Sequence, residues 1–501
     1  MRIRIIHRAG LCFIGGLFAV CAFAQGVAPV RIASGRITGK DLGDVYEWLG
    51  IPYAAPPVGE LRWKPPRPPA SWEGVRAMEQ YGYACMQPKL LTAGQLLPTS
   101  EDCLNLNVWA PKHAEKATVM FWIHGGAFVE GSGALGVYAG TALARQGVVV
   151  VTINYRLGDF GLFAHPELSK ESGGEPAANF GLMDQIAALR WVHENIAAFG
   201  GDPGAVTIFG ESAGGASVNF LMVSPPARGL FQRAIAQSGG GQVRARSLAA
   251  LEQTGARKAK EWGASDLKAL RALPAGTILE GLARIATMAQ YAPVADGKYV
   301  PEGPGAAFAG GKQAPAPFLL GANSFDASLM ETFHISADSL MAAMANRDKV
   351  RELYGDNSEK AAQDLFTDSV FLAPARRLAE CMEKVKQPAY LYFFSYVFER
   401  RRGQAAGAAH GSEIPFVFDQ FPALAGNLAT AQDRKMADTV SAYWVQFAKT
   451  GNPNRAGLPE WPVYNAVTER LLELGDEIAV RPHFRAERLE MIDAAAGWGR
   501  Q

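Results

Sequence analysis

Hydrophobic residues in this chain gather into short unbroken runs, separated by stretches with a helical period. The runs "ATVMFWI" (117–123), "GVVVVTINY" (147–155), "AVTIFG" (205–210), "RAIAQSG" (233–239), "APFLLGAN" (316–323) and "PAYLYFFSYV" (388–397) are apolar without polar alternation. A strand with one wet face must alternate, so these runs predict strands covered on both faces. Between the second and third, Leu182, Ile186, Leu189, Val192 and Ile196 recur every three or four residues, which predicts an amphipathic helix. Strands of this kind alternating with helices predict an α/β fold, a mostly parallel sheet wound with helices. No repeat, low-complexity tract or linker divides the chain, so residues 25–501 read as a single domain.

The first residues break the pattern. Arg2, Arg4 and Arg8 precede an apolar run over 11–21 and then Ala22-Phe23-Ala24. This is the layout of a secretory signal peptide, with cleavage expected after Ala24. The run is short for a membrane span, which takes about 20 residues. Lipidation at Cys21 is an alternative that the bulky Val20 disfavours. No later apolar stretch is long enough to span a bilayer, so a soluble periplasmic or secreted protein is expected. Lys plus Arg total 49 against 48 Asp plus Glu, which gives no electrostatic case for binding nucleic acid or an anionic membrane. In an oxidising compartment Cys85 and Cys103 would close a short-loop disulfide and Cys381 would stay free and buried. No Cys/His spacing resembles a zinc site.

Gly210-Glu211-Ser212-Ala213-Gly214 matches the G-x-S-x-G pattern of a nucleophilic serine, but 54 glycines in 501 residues make the match weak by itself. Its context is stronger: a buried strand, a sharp turn at Ser212, then a helix-like "ASVNFLMV". The helix N-terminus beside the serine favours developing negative charge. A second strand ends at His124-Gly125-Gly126, and the amides of Gly125 and Gly126, with that of Ala213, would form an oxyanion hole. The order of a triad on this kind of fold is serine, acid, histidine. Three histidines follow the run at 316–323. His410, in "AAGAAHGSEIPFVF", has small neighbours that let its ring reach the serine, while His334 and His483 read as surface residues. His193 falls within the amphipathic helix. Asp326, just after "FLLGAN", is the expected acid, with Glu331 five residues further on. Its carboxylate would fix the imidazole tautomer without taking the proton. "GSGALG" (131–136) fits the dinucleotide pattern G-x-G-x-x-G, but "HGGAFVE" separates it from the strand, so no NAD or FAD and no other cofactor is expected.

Together these residues resemble the type-B carboxylesterases, which include para-nitrobenzyl esterases, cholinesterases and some lipases, within the α/β-hydrolase fold. The resemblance runs through "LGIPYAAPPVGELRWKPP" (49–66), "SEDCLNLNVWAP" (100–111), "HGGAF" (124–128), "NYRLGDFGL" (154–162), "NFGLMDQIAALRWVHENIAAFGGDP" (179–203), "GESAGG" (210–215), "HGSEIPFVF" (410–418) and "FAKTGNPN" (447–454). It implies a serine carboxylesterase with a Ser212–Asp326–His410 triad, an oxyanion hole at Gly125, Gly126 and Ala213, and a Cys85–Cys103 disulfide. The family usually has Glu-Gly at the acid position, and this chain has Asp326-Ala327. The segment between the two cysteines contains no aromatic residue, whereas cholinesterases place a cation-binding tryptophan there, so choline esters are disfavoured. Glu211, common in the family, stays outside the triad, as a residue that tunes the pocket or is fixed in structural hydrogen bonds. Phe325, Leu329, Met330 and Phe333 suggest an uncharged ester. Two other functions share these motifs: a non-catalytic adhesion protein like the neuroligins, and an acyltransferase.

Overall fold

A computed structural model of the chain describes residues 27–88, 97–241, 245–283, 291–344, 346–356, 358–421 and 425–497; the expected signal segment 1–24 lies outside them. Every one of the six apolar runs forms a strand of one eleven-stranded sheet. In chain order its strands are β1 (Lys40–Asp41), β2 (Val45–Pro52), β3 (Asn105–Pro111), β4 (Ala117–Ile123), β5 (Val149–Ile153), β6 (Gly201–Glu211), β7 (Arg233–Gln237), β8 (Phe318–Asn323), β9 (Ala389–Phe394), β10 (Leu471–Leu474) and β11 (Ile478–Arg481). Across the sheet they lie β11-β10-β9-β8-β7-β6-β4-β5-β3-β2-β1. The pairs from β5 through β10 are parallel, and those beyond them at either edge are antiparallel.

The lack of polar alternation has a direct structural reason. Successive side chains of a strand point to opposite faces, and here each face packs into its own core. Val119, Phe121 and Ile123 of β4 join one cluster, while Met120 and Trp122 join the other. Likewise Ile208 of β6 and Leu391 of β9 face the first core, and Phe209, Tyr390 and Tyr392 the second. Helices α1 (Phe180–Asn195) and α2 (Ala213–Val223) cover the first face, together with α3 (Ala373–Cys381) and α5 (Ala486–Ala495). Helix α4 (Ala431–Thr450) covers the second with Val440, Trp444 and Phe447.

Helix α1 ends one residue before Ile196, which begins a 3-10 turn but still packs into the core. Strand β6 begins earlier than its apolar run, because Gly201 pairs with Ala117 across an irregularity before Val206. Residues 131–136 follow the loop after β4 rather than a strand, so they do not form a dinucleotide turn. Cys85 and Cys103 are joined by a disulfide, and Cys381 is free and buried. No described helix is long and apolar enough to cross a membrane, and no described cluster of His, Cys, Asp and Glu could hold a metal ion. The parallel strands all present their C-terminal ends to the same edge, where loops carrying chemistry converge.

Candidate active site

Ser212 directly follows β6 and precedes α2, at φ 57° and ψ −122°. A non-glycine residue with positive φ is uncommon, and such strain is held only where the surroundings enforce it. They do so here: Ser212 N donates to Gln237 O at 2.9 Å, and Ala216 N donates to Ser212 O at 2.8 Å. The turn fits only because its flanking residues lack side chains. A Cβ on Gly210 would come within 2.6 Å of Gly214 backbone, and one on Gly214 within 2.0 Å of Ile123 O.

Asp326 and His410 reach the same place from loops after β8 and β9. Asp326 is fully buried; its Oδ1 lies 2.6 Å from His410 Nδ1, and its Oδ2 accepts from Asn323 N (2.9 Å) and Ser238 Oγ (3.1 Å). Three hydrogen bonds tie the two loops together. Phe325 N donates to Ala408 O at 2.8 Å, His410 N donates to Ser328 Oγ at 3.0 Å, and Asn323 Nδ2 donates to Ala409 O at 2.9 Å. A shortened acid thus still meets the imidazole at hydrogen-bond distance. His410 Nε2 is buried, and Phe371 packs against the ring at 5.1 Å.

Sequence reasoning placed Glu211 outside this group, but the structure puts its Oε1 3.0 Å from His410 Nε2. No sequence signal marks this contact, since it depends on the strained turn at the next residue. Burial raises the Glu211 carboxyl to about 8, with the nearby Glu413 and Asp326 adding to the shift and His410 opposing it. At His410 burial disfavours the charged ring, but the carboxylates of Glu211, Asp326 and Glu413 outweigh it and lift the pKa to about 9. The two shifts describe one coupled pair that binds a proton tightly. Glu413 itself is anchored by Gln237 Nε2 at 2.9 Å and Asn323 Nδ2 at 2.5 Å, and burial raises its pKa.

Ser212 and His410 open into a cavity of about 580 Å³. Of the loop after β4, the cavity wall holds Gly126, Ala127 and Phe128 but not Gly125. Gly125 instead lies beneath the serine turn, where a Cβ would come within 2.8 Å of Glu211 and 3.1 Å of the Ser212 Cβ. Ala127 (φ 52°) and Phe128 (φ 62°) follow it in the left-handed region, a backbone path that their residue types do not advertise. His124 is buried and neutral, its pKa lowered to about 4 by burial, and it stacks on Tyr155 at 4.5 Å.

Leu329 and Phe333 line the cavity, whereas Phe325 and Met330 pack into the core. His334 and Glu331 are exposed, and His483 is exposed beside Glu469. Tyr291, Val370, Phe371, Pro374 and Ile492 also line the cavity, with Glu130, and were not singled out from the sequence. Val370 and Phe371 belong to one π turn, Asp368–Leu372, a local widening that often accompanies functional sites.

A model of the carboxylesterase family matches residues 27–492. The para-nitrobenzyl esterase of Bacillus subtilis is 37% identical over 488 residues, covering 92% of this chain and 98% of that protein. The fumonisin B1 esterase of Sphingopyxis macrogoltabida is 38% identical over 499 residues, covering 93% and 90%. A solved carboxylesterase from Geobacillus stearothermophilus superposes with a TM-score of 0.82 at 35% identity, covering 92% of this chain and 99% of the other. With the serine turn, the carboxylate-bound histidine and the open cavity already in place, this agreement along nearly the whole length means that the chain belongs to the carboxylesterase family and is a carboxylic ester hydrolase of the α/β-hydrolase fold.

Proposed function

We propose that the protein hydrolyses carboxylic esters through an acyl-enzyme on Ser212, with His410 as general base and acid and Asp326 orienting it. The observation that carries this reading is the 2.6 Å Asp326–His410 contact, which fixes Nδ1 on the carboxylate and leaves Nε2, 3.0 Å from Glu211 Oε1, at the cavity that Ser212 also lines. His410 Nε2 takes the Ser212 proton as Oγ attacks the ester carbon, and Asp326 holds the imidazolium so formed. Gly126, Ala127 and Ala213 all line the cavity, and we read their amides as the donors that receive the oxyanion, with Ala127 in place of Gly125, which is not among the lining residues. His410 then protonates the departing alkoxide. A water, deprotonated by the same nitrogen, attacks the acyl-enzyme, and His410 returns that proton to Ser212 Oγ as the acyl–oxygen bond breaks and the acid leaves.

The substrate we infer is a small uncharged ester. Phe128, Leu329, Phe333, Val370, Phe371 and Ile492 give the cavity a largely apolar wall, and the carboxyl groups it does hold, Glu130 and Glu211, offer nothing to pair an anionic substrate group. The mature chain is read as one domain exported to the periplasm or medium, supported by its N-terminal sequence and its disulfide. The test is hydrolysis of para-nitrophenyl acetate and butyrate, with products followed in the presence and absence of methanol. Free acid is expected as the main product under both conditions, with faster turnover of neutral esters than of a succinate half-ester. Predominant methyl ester formation would favour an acyltransferase, and a preference for the half-ester would overturn the uncharged substrate.

The pH dependence follows from the coupled pair. Catalysis needs neutral His410, so kcat/KM rises as pH increases through its pKa, which the surrounding carboxylates raise. Glu211→Gln removes one of these carboxylates and lowers the imidazole pKa. The acid limb of the profile is expected to move to lower pH by about one unit or more. An unmoved limb, with the variant folded, would mean that Glu211 does not set the charge on His410.

A further inference from the structure

The disulfide places a buried amide against the loop that follows β4. Gln87, two residues after Cys85, is 9% exposed. Its Oε1 accepts from Gly131 N at 2.9 Å, and its Nε2 donates to Gly131 O at 2.9 Å and to Cys85 O at 3.0 Å. One side-chain amide thus satisfies both the N–H and the C=O of a single residue, as a neighbouring strand would. Gly131 closes the segment His124–Gly131, which carries Gly126 and Ala127.

That segment needs restraint, because two adjacent non-glycine residues, Ala127 and Phe128, hold positive φ. Other bonds fix its middle and its start. Val129 N and Glu130 N both donate to Gly126 O, at 2.9 and 3.0 Å, Gly158 N donates to Phe128 O at 2.7 Å, and Tyr155 OH donates to His124 O at 2.8 Å. Gln87 fixes its far end.

We propose that Gln87 is a positioning residue for the oxyanion donors, held in place by the Cys85–Cys103 bridge. The inference rests on reading Gly126 and Ala127 as those donors. Charge on the substrate oxygen grows between the bound ester and the tetrahedral state, so a displaced donor weakens the transition state more than the ground state. The signature is therefore a loss in kcat with little change in KM.

The test compares wild type, Gln87→Met and Gln87→Glu, with active sites counted by titration with a phosphonate ester so that unfolded chains do not enter kcat. Methionine keeps the side-chain volume and removes every bond. It is expected to lower kcat for para-nitrophenyl butyrate about 30- to 100-fold, the range expected for a catalytic geometry displaced by about 1 Å. KM should stay within threefold, and affinity for a trifluoromethyl ketone should fall by the same factor as kcat/KM. Glutamate separates positioning from simple filling. Ionised, it accepts from Gly131 N but faces the Gly131 and Cys85 carbonyls without a proton; protonated, it regains a donor. Its kcat relative to wild type should climb as pH falls, while the methionine ratio stays flat.

Per-site kcat and ketone affinity within threefold of wild type in Gln87→Met would overturn the proposal, whatever happens to Tm. If the methionine variant does not fold, a pH-independent ratio for Gln87→Glu overturns it instead. A wild type no faster than Ser212→Ala, and unable to trap the ketone, would bring down the site reading and this inference with it. An active wild type with an indifferent Gln87 would bring down this inference alone.

Discussion

Ser212→Ala is expected to lower kcat for para-nitrophenyl butyrate by about 10⁵- to 10⁶-fold, the scale seen when a nucleophile that works as one unit with its base is removed. The fold should survive. The strained φ and ψ at residue 212 suit alanine no better and no worse than serine, and the bonds that impose them are made by the backbone. Thermal unfolding should therefore shift by no more than a few degrees, and the residual rate would come from the cavity and its amides alone. A folded alanine variant within tenfold of wild type would place the nucleophile elsewhere.

The second large effect concerns the acid. Asp326→Ala should reduce kcat by about 10³- to 10⁴-fold, the cost of an imidazole freed to adopt the wrong tautomer. Glu331→Ala should stay within twofold of wild type, since Glu331 is exposed on the short helix Leu329–Thr332, whereas Asp326 is fully buried against His410. Asp326→Ala also leaves Ser238 Oγ and Asn323 N without their acceptor, so folded material must be verified by its unfolding transition. The reverse outcome, with Glu331→Ala inactive and folded, would reassign the acid.

The strands were legible because burial on both faces leaves no polar positions to interrupt the apolar runs. Their ends were less so: Gly147 and Val148 look like strand, yet β5 begins only at Val149. The serine turn could be read because its geometry demands glycine at 210 and 214, a demand written in the sequence. The backbone path through Ala127 and Phe128 could not, since those residues normally avoid it. The same limit hides from the sequence that Ala127 and Phe128, with Gly126, line the cavity. Glu211 against His410, and the wall supplied by Tyr291, the π turn and α5, depend on how distant segments dock, and no local pattern encodes that.

That docking has a consequence for when the chain becomes active. The bond between His410 and Asp326 joins residues 84 apart, and the one between Asp326 and Ser238 spans 88. Ile492, almost at the end of the chain, still contributes to the cavity. A chain emerging N-terminus first presents its serine long before it has an acid, a base or a closed pocket. On the proposed triad, such a nascent polypeptide is expected to be chemically silent, and so is any fragment cut before residue 410. Ester turnover is then expected to report docking of the segments that carry residues 326, 410 and 492, and in refolding experiments it should recover only once they have docked.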